Sequence, residues 1–123
     1  MDPIRILVAD DDPLARELVV AILAGEETLE LVASAEDADG AVEMAAQHKP
    51  DVAVLDWVMP GGGGPQAARG IQRVSPETKI VALTASDMQE ASLDMLRAGA
   101  ESFLTKGGPP DELVGTIQRA VRL

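Results

Sequence analysis

Five times along this chain a short apolar run gives way to a longer amphipathic stretch, and that alternation restricts the fold more than any other feature. The first run, Ile4 to Ala9 (IRILVA), is interrupted only by Arg5, the pattern of a strand covered on both faces. Asp51 to Leu55 (DVAVL) and Lys79 to Leu83 (KIVAL) read the same way, with weaker strands at Glu30 to Ser34 and Glu101 to Leu104. After the first strand, Asp12-Pro13 supplies an N-cap and a first helical position, Leu14, Leu18, Ala21 and Ile22 recur at helical spacing, and Gly25 stops the helix. A second helix spans Asp37 to His48 on its Ala38, Ala41, Val42, Ala45 stripe and ends before Pro50. The remaining helices are expected from Pro65 to about Val74, from Asp87 to Ala98 and from Asp111 to Arg122. Met59 to Pro65 (MPGGGGP) and Gly107 to Pro110 are loops by composition, the first a mobile element or a plain connector. Strands alternating with helices imply a parallel sheet with helices on both faces, and right-handed crossovers leave chiefly an open, doubly wound α/β sheet. No linker divides the chain, so one domain over residues 1–123 is expected.

Composition removes several function classes. There is no cysteine and only one histidine, which excludes disulfide frameworks, thiolate metal sites and cysteine nucleophiles. His48, at a helix end where a cation complements the dipole, reads as structural. A net charge of −11 opposes direct binding of nucleic acid, which needs clustered Lys and Arg. No apolar run approaches a membrane span, and the start, Met1 to Arg5, lacks a basic segment followed by an apolar one, so a cytoplasmic location is the default expectation.

In an open parallel sheet, ligands bind beyond the carboxyl ends of the strands. There the sequence places Asp10, Asp11 and Asp12 after the first strand, Asp56 after the third, Thr84 and Ser86 after the fourth, and Lys106 after the fifth. Asp12 is accounted for as a helix cap, but one cap needs one side chain, which leaves Asp10 and Asp11 without that explanation. Two carboxylates about 5 Å apart repel by roughly 3 kcal/mol at an effective dielectric of 20, so several acids at one sheet edge call for a cation. Magnesium suits them: it is hard, prefers oxygen, and takes one or two carboxylates plus water and phosphate. Asp10 or Asp11 with Asp56 and a backbone carbonyl would hold it, leaving positions for a phosphoryl group. Asp56, alone after a central strand, is the best candidate to accept that group as an aspartyl phosphate. Lys106, one of three lysines, and the Thr84 hydroxyl would contact the phosphoryl oxygens.

Four segments in this order, ILVADDDPLAR at Ile6 to Arg16, DVAVLDWVMPGGGG at Asp51 to Gly64, IVALTAS at Ile80 to Ser86 and RAGAESFLTK at Arg97 to Lys106, resemble the receiver domain of two-component response regulators. The resemblance covers essentially the whole chain. It implies a flavodoxin-like sheet of order 2-1-3-4-5, Asp10 and Asp11 as the acidic metal pair, and Asp56 as the phosphorylated residue. It further implies that the Val58 carbonyl joins Asp10, Asp11 and Asp56 around Mg2+, that Thr84 and Lys106 bind the phosphoryl group, and that Thr84 and Phe103 act as the switch pair. The phosphodonor would be a histidine kinase or phosphotransfer protein. An output domain beyond Leu123, or a homodimer through the fourth helix, fifth strand and fifth helix, fits the same resemblance.

The chain departs from the family in three places. Gly107 follows Lys106 where most members have a cis-joined proline; a cis bond before a non-proline costs about 2.5–4 kcal/mol, so a trans bond is expected. Val58 is apolar where many members are polar, and Gly61 to Gly64 is unusually glycine-rich. Trp57, the only tryptophan, follows Asp56 directly and is expected to report metal and phosphoryl binding by its fluorescence. Two other function classes compete with the switch. A small magnesium phosphatase would use Asp10 as nucleophile, and an interaction module would keep the fold without phosphorylation.

Overall fold

The computed structural model describes residues 2–85 and 92–122. The elements run β1 (Ile4–Ala9), α1 (Pro13–Ala24), β2 (Leu29–Ala35), α2 (Ala38–His48), β3 (Val52–Asp56), α3 (Gly63–Val74), β4 (Lys79–Thr84), α4 (Ser92–Arg97), β5 (Ala100–Thr105) and α5 (Pro110–Ala120). The expected start of the fourth helix at Asp87 lies outside the described residues, as do Ser86 and Leu123. All strand pairs are parallel and the order is β2-β1-β3-β4-β5, the doubly wound arrangement expected from the sequence.

Successive strand residues point to opposite faces, so each central strand feeds two apolar layers at once. Leu7, Ala53, Leu55 and Ile80 face α2 and α3. Ile6, Val52, Val54 and Val81 join Val19 and Leu23 of α1 and Leu113 and Ile117 of α5. This two-sided burial is why the central runs are continuously apolar rather than alternating. The α2–α3 layer is built from small residues, Ala38, Ala41, Ala45, Ala67 and Ala68, all without solvent exposure.

The amino-terminal edge of the sheet is closed by polar groups. Asp51, expected as the first residue of the third strand, instead precedes β3, and its carboxylate accepts the Arg5 N–H at 2.9 Å. The Thr78 hydroxyl donates to the Pro50 carbonyl at 2.7 Å and lies 2.6 Å from the Ser75 hydroxyl.

At the opposite edge the glycine run has a packing role. α3 begins at Gly63, two residues before the expected Pro65, and the chain enters it through left-handed φ values at Gly62 (+94°) and Gly63 (+71°). That turn lets the Gly64 N–H donate to the Trp57 carbonyl at 2.9 Å. A Cβ on Gly64 would lie 2.3 Å from Cε3 of the Trp57 ring. The indole is buried in the α2–α3 layer and seated directly on this backbone, so the run is more than a connector.

Gly64→Ala is therefore expected to destabilise the domain by about 1–3 kcal/mol through overpacking, with a shift in Trp57 emission. Urea unfolding followed at Trp57 checks this, and a midpoint equal to wild type would contradict the close contact.

Candidate functional site

Parallel pairing brings the strand tips together. Ala9 pairs with Leu55, so Asp10 and Asp56 emerge side by side. Asp56 pairs with Leu83, and Thr84 with Thr105, which carries the edge onward to Lys106. The hydrogen-bond ladder runs one residue past the strands: Asp10 N–H to Ala35 O at 3.1 Å, Trp57 N–H to Leu83 O at 2.9 Å, and Lys106 N–H to Thr84 O at 2.8 Å. Backbone positions at the site are thus set by the sheet.

Asp10 and Asp56 are buried, 1% and 6% exposed, whereas Asp11 is exposed. Oδ1 of Asp10 accepts the Asp12 N–H at 2.9 Å, and Oδ1 of Asp56 accepts the Val58 N–H at 3.2 Å. The Lys106 ammonium lies 2.8 Å from Oδ2 of Asp10 and 3.4 Å from Oδ2 of Asp56. It is at ion-pair distance from Asp10, yet no donor is aligned on that Oδ2 as a hydrogen bond. The oxygen is buried and negatively charged, and only part of its coordinating capacity is met. Asp10, Asp11 and Asp56 each offer an oxygen, all within 4.8 Å of one another. Three hard oxygens gathered this closely, beside a buried carboxylate with unmet coordinating capacity, fit a hard divalent cation.

The electrostatics agree. Burial pushes the Asp56 carboxyl up from its ordinary 3.8 to about 6; the Val58 N–H opposes this, the Asp10 charge adds to it, and Lys106 offsets part. Burial alone would lower Lys106, but Asp10 and Asp56 outweigh it and hold the ammonium above its ordinary range. One fixed cation therefore serves two buried anions, which leaves net negative charge at the edge.

Of the expected site residues, the structure brings Asp10, Asp11, Asp56 and Lys106 together. Thr84 is buried at the end of β4, and Val58 is exposed just beyond Asp56. Phe103 lies on β5 and is 41% exposed. Asp12 caps α1 as expected, accepting from Leu14 N–H at 3.0 Å. Lys106–Gly107 is trans, since no cis peptide occurs among the described residues, and Gly107 takes φ +78°. Lys106 reaches both carboxylates without the usual proline. Trp57 faces the α2–α3 layer, so its fluorescence would sense the site through the Trp57–Gly64 loop.

One contact was not expected from the sequence. Nη1 of Arg16 donates to the main-chain carbonyl of Asp10 at 2.7 Å. The available signal was an arginine near the amino end of α1, where the helix dipole favours acids.

The raised Asp56 value has a definite stability consequence. Between about pH 4 and 6 the folded chain holds a proton on Asp56 that the unfolded chain has released, so this group's contribution to stability falls as pH rises through that window. Asp56→Asn is therefore expected to be more stable than wild type at pH 8, by up to about 3 kcal/mol, and to lose that advantage near pH 4. Thermal melts of both proteins at the two pH values check it, and a gap independent of pH would contradict it.

The family model for the response regulator receiver domain matches residues 6–118. The chain is 38% identical over 121 residues to an uncharacterised transcriptional regulatory protein, YxjL, of Bacillus subtilis (strain 168), covering 98% of this chain and 56% of that protein. It is 34% identical over 116 residues to the response regulator GacA of Pseudomonas aeruginosa, covering 94% of this chain and 54% of GacA. The chain thus spans about half the length of the curated relatives it matches. Among solved structures, it superposes on the signal receiver domain of the putative response regulator NarL from Mycobacterium tuberculosis with a TM-score of 0.92, at 33% identity and 98% coverage of both chains. A LuxR-family two-component response regulator from Aurantimonas sp. SI85-9A1 gives 0.90 at 31% identity, over 98% of this chain and 86% of that one. With the sheet order, the tri-acid cluster and these matches together, the chain belongs to the response regulator receiver domain family.

Proposed function

We propose that residues 1–123 act as a phosphoacceptor switch in which Asp56 takes a phosphoryl group from a phosphohistidine of a histidine kinase or phosphotransfer protein. The observation that carries this reading is the buried Asp56 carboxylate within 4.8 Å of two further carboxylates and 3.4 Å from the Lys106 ammonium. Asp10, Asp11, Asp56 and the Val58 carbonyl would hold magnesium, which when bound supplies the positive charge that lets an anionic phosphoryl group approach an anionic acceptor. An Asp56 oxygen attacks phosphorus as the phosphorus–nitrogen bond of the donor breaks, and the imidazole leaves with the bonding pair. Lys106 contacts the transferred phosphoryl oxygens, and the Thr84 hydroxyl donates to another. Hydrolysis of the acyl phosphate by water then restores the Asp56 carboxylate and releases inorganic phosphate.

The switch itself is a population shift between two packings. Thr84 moves toward the phosphoryl group and Phe103, half-exposed on β5, turns inward. Leu93 and Leu96 of α4 are exposed as well, which fits a homodimer through α4, β5 and α5 as a readout. The match to about half the length of the transcriptional regulatory protein YxjL and of the response regulator GacA fits a receiver that controls a separate output region. No described helix is long and apolar enough to cross a membrane.

Incubation with magnesium and acetyl phosphate, followed by location of the acid-stable, base-labile adduct by mass, tests the assignment. Modification at Asp56 is expected, and chelation of the metal should abolish it. Modification at Asp10 would instead indicate the phosphatase reading, and none at either residue the interaction module. Magnesium at a hundredfold excess over its dissociation constant is also expected to stabilise the fold by about 2.7 kcal/mol, lost in Asp11→Asn; equal melting with and without the metal would contradict this.

A further inference from the structure

Each polar atom of Asp10 lies against a different part of the chain. Its N–H donates to Ala35 O at the end of β2, and its Oδ1 accepts from Asp12 N–H in the following turn. Its Oδ2 lies against Lys106 beyond β5, and its main-chain oxygen accepts from Nη1 of Arg16 on α1. That last oxygen belongs to the peptide joining Asp10 to Asp11, so whatever grips it orients both carboxylate-bearing residues together. The same guanidinium places Nη2 3.5 Å from Oε1 of Glu36, next to the end of β2. Arg16 is well covered, with its side chain 18% exposed, whereas Glu36 is 76% exposed.

We infer that Arg16 is a positioning residue for the metal-binding carboxylates, its forked guanidinium fixing the Asp10–Asp11 peptide and tying the β1–α1 loop to the β2–α2 loop. This rests on the metal-binding reading proposed above. Charge alone gives the residue no reason to favour metal binding: a cation near the amino end of α1 opposes the helix dipole and would repel a divalent ion. The two effects differ in sign. If Arg16 acted only through its charge, neutralising it would tighten magnesium binding; as a positioning residue, its loss weakens binding. A five-donor planar fork can serve two acceptors in fixed directions, which a lysine ammonium on a flexible stem cannot reproduce.

The test is the magnesium dissociation constant of the intact chain, read from the dependence of melting temperature on magnesium concentration, in wild type, Arg16→Gln, Arg16→Lys and Glu36→Gln. A purely structural contact would lower the melting temperature of the metal-free protein and leave the dissociation constant unchanged. We expect Arg16→Gln to weaken magnesium binding by about tenfold, in line with losses on removing groups that orient metal ligands. Arg16→Lys should fall between Arg16→Gln and wild type, and Glu36→Gln, which keeps the Asp10 contact, should stay close to wild type. Wild-type or tighter affinity in Arg16→Gln overturns the assignment; if that variant does not fold, wild-type affinity in Arg16→Lys does so. A wild-type protein whose melting ignores magnesium overturns the metal-binding reading and this inference with it, whereas a wild-type response shared equally by the variants overturns the role of Arg16 alone.

Discussion

Two buried carboxylates sharing one ammonium set the terms for the rest of this molecule. Asp10 and Asp56 sit at adjacent strand tips where water is largely excluded, and Lys106 is the cation that contacts both. Removing two anions from water costs several kcal/mol each unless the charge is compensated, and one lysine compensates only one of them. The fold keeps the pair close because the sheet register leaves it no alternative. The consequence is a sheet edge that holds a proton on Asp56 up to about pH 6 or takes up a cation.

That arrangement depends on backbone geometry more than on side-chain choice. Hydrogen bonds from Asp10, Trp57 and Lys106 extend the parallel ladder one residue past each strand. The glycine turn at Gly63 and Gly64 then brings α3 down on the ring of Trp57, the residue next to Asp56. Asp56 is joined to the surface by two short structural connections. One runs along β4 and β5 toward Thr84 and the exposed Phe103, the other through the loop that seats Trp57.

Much of this was legible in the sequence because strand burial and strand-end chemistry are both local signals. IRILVA, DVAVL and KIVAL are apolar throughout because helices cover both faces, and the residue after each such run had to lie at the functional edge. Asp10, Asp11, Asp56 and Lys106 were found that way, and the structure gathers them. Pro65 is a strong helix-start signal, whereas α3 starts two residues earlier behind a left-handed glycine turn that residue type alone does not specify. Asp51 reads as strand because it adjoins one, but its carboxylate is used to cap the Arg5 N–H. The contact of Arg16 is not legible in the sequence because its partner is a main-chain carbonyl, which carries no residue-type signature.

A carboxyl-carbon NMR titration of Asp56 tests the central claim most directly, since it reads the charge competition at that carboxylate itself. The account predicts a midpoint near pH 6 without metal, falling well below that when magnesium is saturating. A midpoint at the ordinary aspartate value, unmoved by magnesium, would contradict it.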